Sequence, residues 1–148
     1  EVREGQFFKP IEEEHKLFSP RIKDNTFECD LLISRIEPEK EVIVTEAITL
    51  ESEFRVYVCQ GEILNICFYK GNPLKQPKLD TITKMVELVA HYSSAFGLDV
   101  GVTDAGETVL VEMNDFCCLG NYGLRAIAYA RCIAIRWEEA WHQFHKNP

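Results

Sequence analysis

Apolar and polar positions alternate most clearly between residues 42 and 69. Residues 42–47, 53–59 and 63–69 are rich in β-branched and aromatic side chains and predict three strands. Gln60-Gly61, between the last two, predicts a tight hairpin turn. A shorter run, residues 6–10, predicts a strand ended by its proline. The period then changes. Ile82, Met85, Val86, Val89, Tyr92 and Phe96 fall on one stripe, which predicts an amphipathic helix over residues 79–96. Asp80 would cap its start, and Gly97 follows its end. Residues 98–113 return to strict alternation, a second hairpin around Asp104-Ala105-Gly106. Residues 124–144 predict a closing helix with Leu124, Ile127, Ala128, Ile135 and Trp141 among its apolar positions. Antiparallel hairpins alternating with helices indicate an α+β fold, an antiparallel β-sheet with packed helices. Residues 11–41 are polar and charged, broken by Ser19-Pro20 and Glu37-Pro38, and predict a flexible segment.

Length and charge narrow the picture. A chain of 148 residues predicts a single domain, and 46% hydrophobic residues suffice for a core. The net charge is −8, and residues 1–54 hold 14 acidic and 7 basic side chains. That balance argues against nucleic acid as a partner, which needs clustered Lys and Arg. The acidic half would either steer a cationic partner or form a solvated surface. No apolar run approaches a membrane span. With no signal peptide and no initial Met, a processed or trimmed cytoplasmic chain is expected. The six cysteines, Cys29, Cys59, Cys67, Cys117, Cys118 and Cys132, show no C-x-x-C pair and read as reduced thiols. Cys117-Cys118, in a loop, is the pair to test for reactivity. His142-x-x-His145 reads as an exposed helix end rather than a metal site.

The second hairpin carries the sharpest chemical signal. Its apolar face is Leu98, Val100, Val102, Val109, Val111 and Met113; the other face holds Asp99, Gly101, Thr103, Thr108, Leu110, Glu112 and Asn114. A two-residue turn at Ala105-Gly106 places Asp99 opposite Glu112, with Cβ atoms about 4.5–5.5 Å apart. Asn114 follows on the same face, about 6.6 Å along the strand. Facing carboxylates repel and raise each other's pKa unless a cation lies between them. Oxygen donors alone suit a hard cation such as Mg²⁺, with water and phosphate completing its shell. A solvated polar face is the alternative.

In the earlier hairpin, Glu53, Arg55 and Tyr57 share one face, and Lys70, just past the strand end, falls on it too. Arg55 and Lys70 together suit phosphate or carboxylate recognition. The alternative is an ordinary surface pair with Glu53. Lys9, in Phe7-Phe8-Lys9-Pro10, ends an apolar strand, where it would either meet an anion or reach solvent.

The order of these features resembles the nucleotide-binding half of the ATP-grasp superfamily. Phe8-Lys9-Pro10 comes first, then Val42-Ile43-Val44-Thr45-Glu46-Ala47 and Glu53-Phe54-Arg55-Val56-Tyr57-Val58. Leu98-Asp99-Val100-Gly101-Val102, Val111-Glu112-Met113-Asn114-Asp115 and Leu119-Gly120-Asn121-Tyr122-Gly123-Leu124 follow. The nearest pattern is the divergent clade with one signature arginine and two signature lysines, and it spans residues 6–125. The resemblance implies that Lys9 meets the ATP phosphates. It implies that Glu46, Ala47 and Ile48 form the adenine-holding hinge, and that Glu53 meets the ribose or orients Arg55. Arg55 and Lys70 would neutralise phosphate charge during transfer. Asp99, Glu112 and Asn114 would hold Mg²⁺ against the β- and γ-phosphates, and residues 117–123 would lie near the acceptor. The implied activity is an ATP- and Mg²⁺-dependent carboxylate–amine ligase acting through an acyl-phosphate, its substrates extending to peptides or proteins. A catalytically silent nucleotide-binding assembly factor and an ATP-grasp kinase are the rival readings. Only eight residues precede Lys9, so either an N-terminal lobe is missing or another chain completes the site.

Overall fold

A computed structural model describes residues 2–11 and 18–146, which form two compact units, Glu1–Ile48 and Thr49–Pro148. In the first unit, β1 (Gln6–Pro10) is the middle strand of an antiparallel three-stranded sheet. It lies between β2 (Arg21–Ile22) and β3 (Val42–Glu46). Lys9 pairs with Ile43 in this sheet. A helix, α1 (Phe27–Ser34), covers it, and Phe8, Phe18 and Cys29 form the core. The flexible segment expected over residues 11–41 thus holds a strand and a helix; residues 12–17 lie outside the described residues. The helix escapes a periodicity reading because Phe27, Cys29, Leu31, Leu32 and Ile33 point to every side of it. Its start is marked instead by Thr26, whose hydroxyl accepts from the Cys29 N–H at 3.3 Å.

The second unit is a four-stranded antiparallel sheet in the order β5-β4-β6-β7. Its strands are β4 (Leu50–Cys59), β5 (Glu62–Gly71), β6 (Ala95–Thr103) and β7 (Thr108–Asp115). The β4–β5 turn is the expected one: Gln60 and Gly61 both have positive φ, and Cys59 pairs with Glu62. One face packs on α2 (Leu79–Val89), joining Phe54, Val56, Val58, Ile82, Val86 and Phe96 in a core. The other packs on α3 (Ala126–Lys146) and a 3-10 turn at Phe116–Cys118, around Tyr57, Phe116, Leu119, Leu124 and Cys132. With both faces covered, every residue of β6 is buried. The Asp99 side of the second hairpin is therefore not the solvated face that alternation suggested.

The helices are shifted from expectation. α2 ends at Val89, not Phe96, because Ala95–Thr103 pairs along β4 from Cys59 to Leu50. Gly97 lies inside β6 rather than capping a helix, and a Cβ there would meet Leu119 Cδ1 at 2.7 Å. The N-cap of α2 is Lys78, not Asp80, and makes no side-chain cap bond. Leu124 precedes α3, whose inward positions are Ala128, Tyr129, Cys132, Ile133 and Ile135; of the apolar positions named from the sequence, Ile127 and Trp141 are exposed. No helix among the described residues is long and apolar enough to cross a membrane.

Candidate nucleotide and metal site

The site is built on β4, β6 and β7, and its register comes from two irregularities that offset each other. The β6–β7 turn has three residues, Asp104, Ala105 and Gly106, closed by Thr103 and Glu107. That turn alone would put Val111 opposite Asp99. A β-bulge absorbs Val111, so Val100 pairs with Leu110 and Asp99 with Glu112. The expected carboxylate pair forms, through a longer turn and a bulge rather than a two-residue turn. The bulge also corrects the face assignment: Leu110 and Val111 are both exposed.

Asp99, Glu112 and Asn114 converge. Asn114 Nδ2 lies 3.4 Å from Asp99 Oδ2 and 3.4 Å from Glu112 Oε2. A half-turn of the amide presents Oδ1 to the same point. The cation that facing carboxylates require is partly supplied from β4. Arg55 donates from Nε to Asp99 Oδ1 and from Nη2 to Asp99 Oδ2, each at 2.7 Å, a bidentate pair buried at both ends. The Asp99 carboxylate holds the guanidinium above its ordinary pKa, against the opposing effect of burial. Asp99, not Glu53, orients Arg55. Three of the five guanidinium N–H groups remain available on the edge away from Asp99. Glu112, by contrast, meets only Asn114 among the described residues.

Two aromatic side chains flank this pair: Tyr122, from the loop expected near the acceptor, and Tyr69, which the sequence did not point to. The Tyr122 ring lies 5.0 Å from the Arg55 guanidinium carbon and stacks on Tyr69 at 5.1 Å. Tyr69 reaches that side through a second bulge, between Glu53↔Lys70 and Phe54↔Phe68, which leaves it unpaired. Strict alternation would send Tyr69 and Lys70 to opposite faces. Tyr69 donates to Glu53 Oε2 at 3.1 Å, and Lys70 donates to Glu53 Oε1 at 2.5 Å. Burial foremost, and the nearby Asp99 and Glu53 charges after it, push the Tyr69 phenol far above its usual pKa. Lys70 lies within β5 rather than past its end, with its side chain largely exposed. It is Glu53's partner, the plainer of the two readings its sequence allowed.

Tyr57 anchors the loop that carries Tyr122. Its hydroxyl donates to the Gly120 carbonyl at 2.7 Å and accepts from the Tyr122 N–H at 2.8 Å. Asn121 Oδ1 accepts from the N–H groups of Gly123 and Leu124, closing the turn before α3. Tyr57→Phe should strand both backbone groups and cost about 1–3 kcal/mol, read from urea unfolding. A loss near zero would mean that water satisfies the loop. Burial first, then the Asp115 charge, pushes the Cys117 thiol upward, so that member of the cysteine pair is a poor nucleophile.

The remaining expected residues belong to the first unit. Lys9 is half-buried on β1; Glu46 closes β3, and Glu46, Ala47 and Ile48 are exposed. At the end of α3, His142 and His145 are exposed and His145 packs on Trp141. No group of three or more His, Cys, Asp or Glu converges among the described residues, so the oxygen trio depends on the Asn114 amide.

A family model for an ATP-grasp domain, family 2 of the clade named for one arginine and two lysines, matches residues 1–132. The chain belongs to this ATP-grasp family. The α+β fold expected of an ATP-grasp domain is the one found, and solved ATP-grasp structures share it. D-alanine–D-alanine ligase from Bacillus anthracis complexed with ATP superposes with a TM-score of 0.57 at 16% identity, over 97% of this chain and 53% of that one. The ATP-grasp ligase PsnB, complexed with a phosphomimetic precursor variant, Mg and ADP, gives 0.56 at 14%, over 88% and 46%. The macrocyclase MdnC from Microcystis aeruginosa MRC, bound with its precursor peptide MdnA, gives 0.54 at 16%, over 88% and 46%. At these identities the likeness is one of fold. This ATP-grasp chain spans about half the length of those structures. No curated protein matches it.

Proposed function

We propose that this ATP-grasp domain binds Mg·ATP and serves an ATP-dependent carboxylate–amine ligase. The observation that carries the reading is the meeting of Asp99, Glu112 and Asn114 beside Arg55. Their chemistry fits a hard cation: three oxygen donors, with the Glu112 carboxylate lacking a cationic partner among the described residues. Bound there, Mg²⁺ would offset charge on the β- and γ-phosphates. Asp99 fixes the guanidinium of Arg55 so that its remaining N–H edge meets phosphate without reorganising during transfer. Lys70, released from Glu53, is the second cation. Lys9, and Glu46, Ala47 and Ile48 as the hinge, are assigned to nucleotide binding on the family resemblance alone; Glu53 is assigned there too, with Lys70 and Tyr69 as its partners.

In the proposed reaction a substrate carboxylate oxygen attacks the γ-phosphorus and ADP leaves. An amine nitrogen then attacks the acyl carbon, loses a proton, and inorganic phosphate departs. Phosphorylation makes the carboxylate a competent acyl donor; the protein contributes position and charge neutralisation. PsnB and MdnC, solved with precursor peptides, support a peptide or protein as the substrate class.

Calorimetry of ATP binding with and without Mg²⁺ tests the assignment. Glu112→Gln should weaken Mg·ATP binding about tenfold, or about 1.4 kcal/mol, and leave metal-free ATP binding unchanged. Equal Mg·ATP affinity in the variant and the parent would overturn the metal assignment. Trapping with hydroxylamine then separates the reactions: a hydroxamate supports the ligase, a phosphorylated alcohol a kinase, and binding without turnover an assembly factor.

A further inference from the structure

The outer face of α3 is apolar along its whole length. Ile127, Ala130, Ala134, Trp137, Trp141 and Phe144 recur at steps of three and four and are exposed. Ile127 is 82%, Trp137 61%, Trp141 63% and Phe144 78% accessible. This is the a/d pattern of a helix that packs against another helix, and the opposite face already packs on the sheet.

The stripe is divided by size. Its first half holds Ile127, Ala130 and Ala134; its second half holds Trp137, Trp141 and Phe144. A parallel pairing sets ring against ring and methyl against methyl. An antiparallel pairing about a two-fold axis near residues 135 and 136 sets Trp137 against Ala134, Trp141 against Ala130 and Phe144 against Ile127. Each tryptophan then meets an alanine, and Phe144 meets the aliphatic Ile127 at the two ends of the seam. The flanking charges favour the same arrangement. Arg131 and Glu138, both exposed on one edge of the stripe, fall two positions, about 3 Å along the helix, from directly opposite, within reach of their long side chains, giving two symmetry-related ion pairs. Ile127 and Arg131 also border a groove of about 270 Å³ lined by Cys59, Leu64 and Cys132. Phe144 of the second copy would lie beside that groove.

We propose that α3 is a self-association surface on which a second copy of this chain packs its own α3, antiparallel, with Arg131 of each copy facing Glu138 of the other. The six aromatic rings contributed by two copies, each able to bury about 150–250 Å², bring the contact to the roughly 1,000 Å² of a specific interface. This inference is independent of the nucleotide reading.

Analytical ultracentrifugation of the protein from 1 to 200 µM tests it, with circular dichroism as the folding control. The parent should sediment as a dimer. Trp141→Glu, at an exposed position, should be a folded monomer. Arg131→Glu should raise the dimer dissociation constant about tenfold, and adding Glu138→Arg should restore it to within threefold. A monomeric parent over that range would overturn the proposal, as would a dimer indifferent to Trp141→Glu. Failure of the charge swap to restore what Arg131→Glu loses would overturn the antiparallel register.

Discussion

Asp99→Ala should cost the protein about 3–5 kcal/mol of stability, measured by urea unfolding at neutral pH. Arg55 is 8% exposed and its guanidinium makes both of its side-chain hydrogen bonds to Asp99. Removing the carboxylate leaves a charge buried without a counter-ion, a far larger penalty than losing a surface pair. The double replacement Arg55→Met with Asp99→Leu should recover most of that loss, because an apolar pair of similar volume needs no desolvation. It should nevertheless abolish Mg²⁺-dependent ATP binding, since the positioned cation and one oxygen donor are both gone. The pair of results separates the structural part of the contact from its proposed chemical part. A loss below about 1 kcal/mol for Asp99→Ala would show that water reaches Arg55 and that the pair does not position it.

Phe96→Ala should be comparably costly and chemically silent. Phe96 is fully buried on the α2 face of β6, the opposite side of the same strand from Asp99. Truncating a buried phenylalanine costs about 3–5 kcal/mol, a large part of the roughly 5–15 kcal/mol of a typical domain. At a temperature where the variant is still folded, its Mg·ATP affinity should equal that of the parent. A weaker affinity would mean that packing on α2 sets the geometry of the acids across the sheet.

Local pattern made the second unit largely legible. The β4–β5 hairpin and its Gln60-Gly61 turn follow from alternation and turn chemistry over short separations, whereas the expected Asp99–Glu112 pairing arises only because a three-residue turn and the bulge at Val111 offset each other. What escaped was decided elsewhere in the chain. The end of α2 depends on how far β6 pairs along β4, which no property of residues 90–96 encodes. The Arg55–Asp99 bond joins residues 44 apart in sequence, so Glu53 stood in for Asp99 as the orienting group. Tyr69 enters the site through a bulge, an irregularity that a period of two cannot anticipate, and stacks on Tyr122 of the loop expected near the acceptor. Periodicity found the apolar length of α3 but not which of its apolar positions pack, because that helix is apolar on more than one side and Ile127 and Trp141 are exposed.

Val111 is a residue the ladder does not count. Leu110 and Glu112 already oppose consecutive residues of β6, Val100 and Asp99. A homologue one residue shorter here keeps every partner on both sides of the deletion and loses only the extra twist. Aligned by spacing alone, such a relative would look as if its acid had slipped out of place; aligned with the gap at Val111, its acid falls back into line with Glu112.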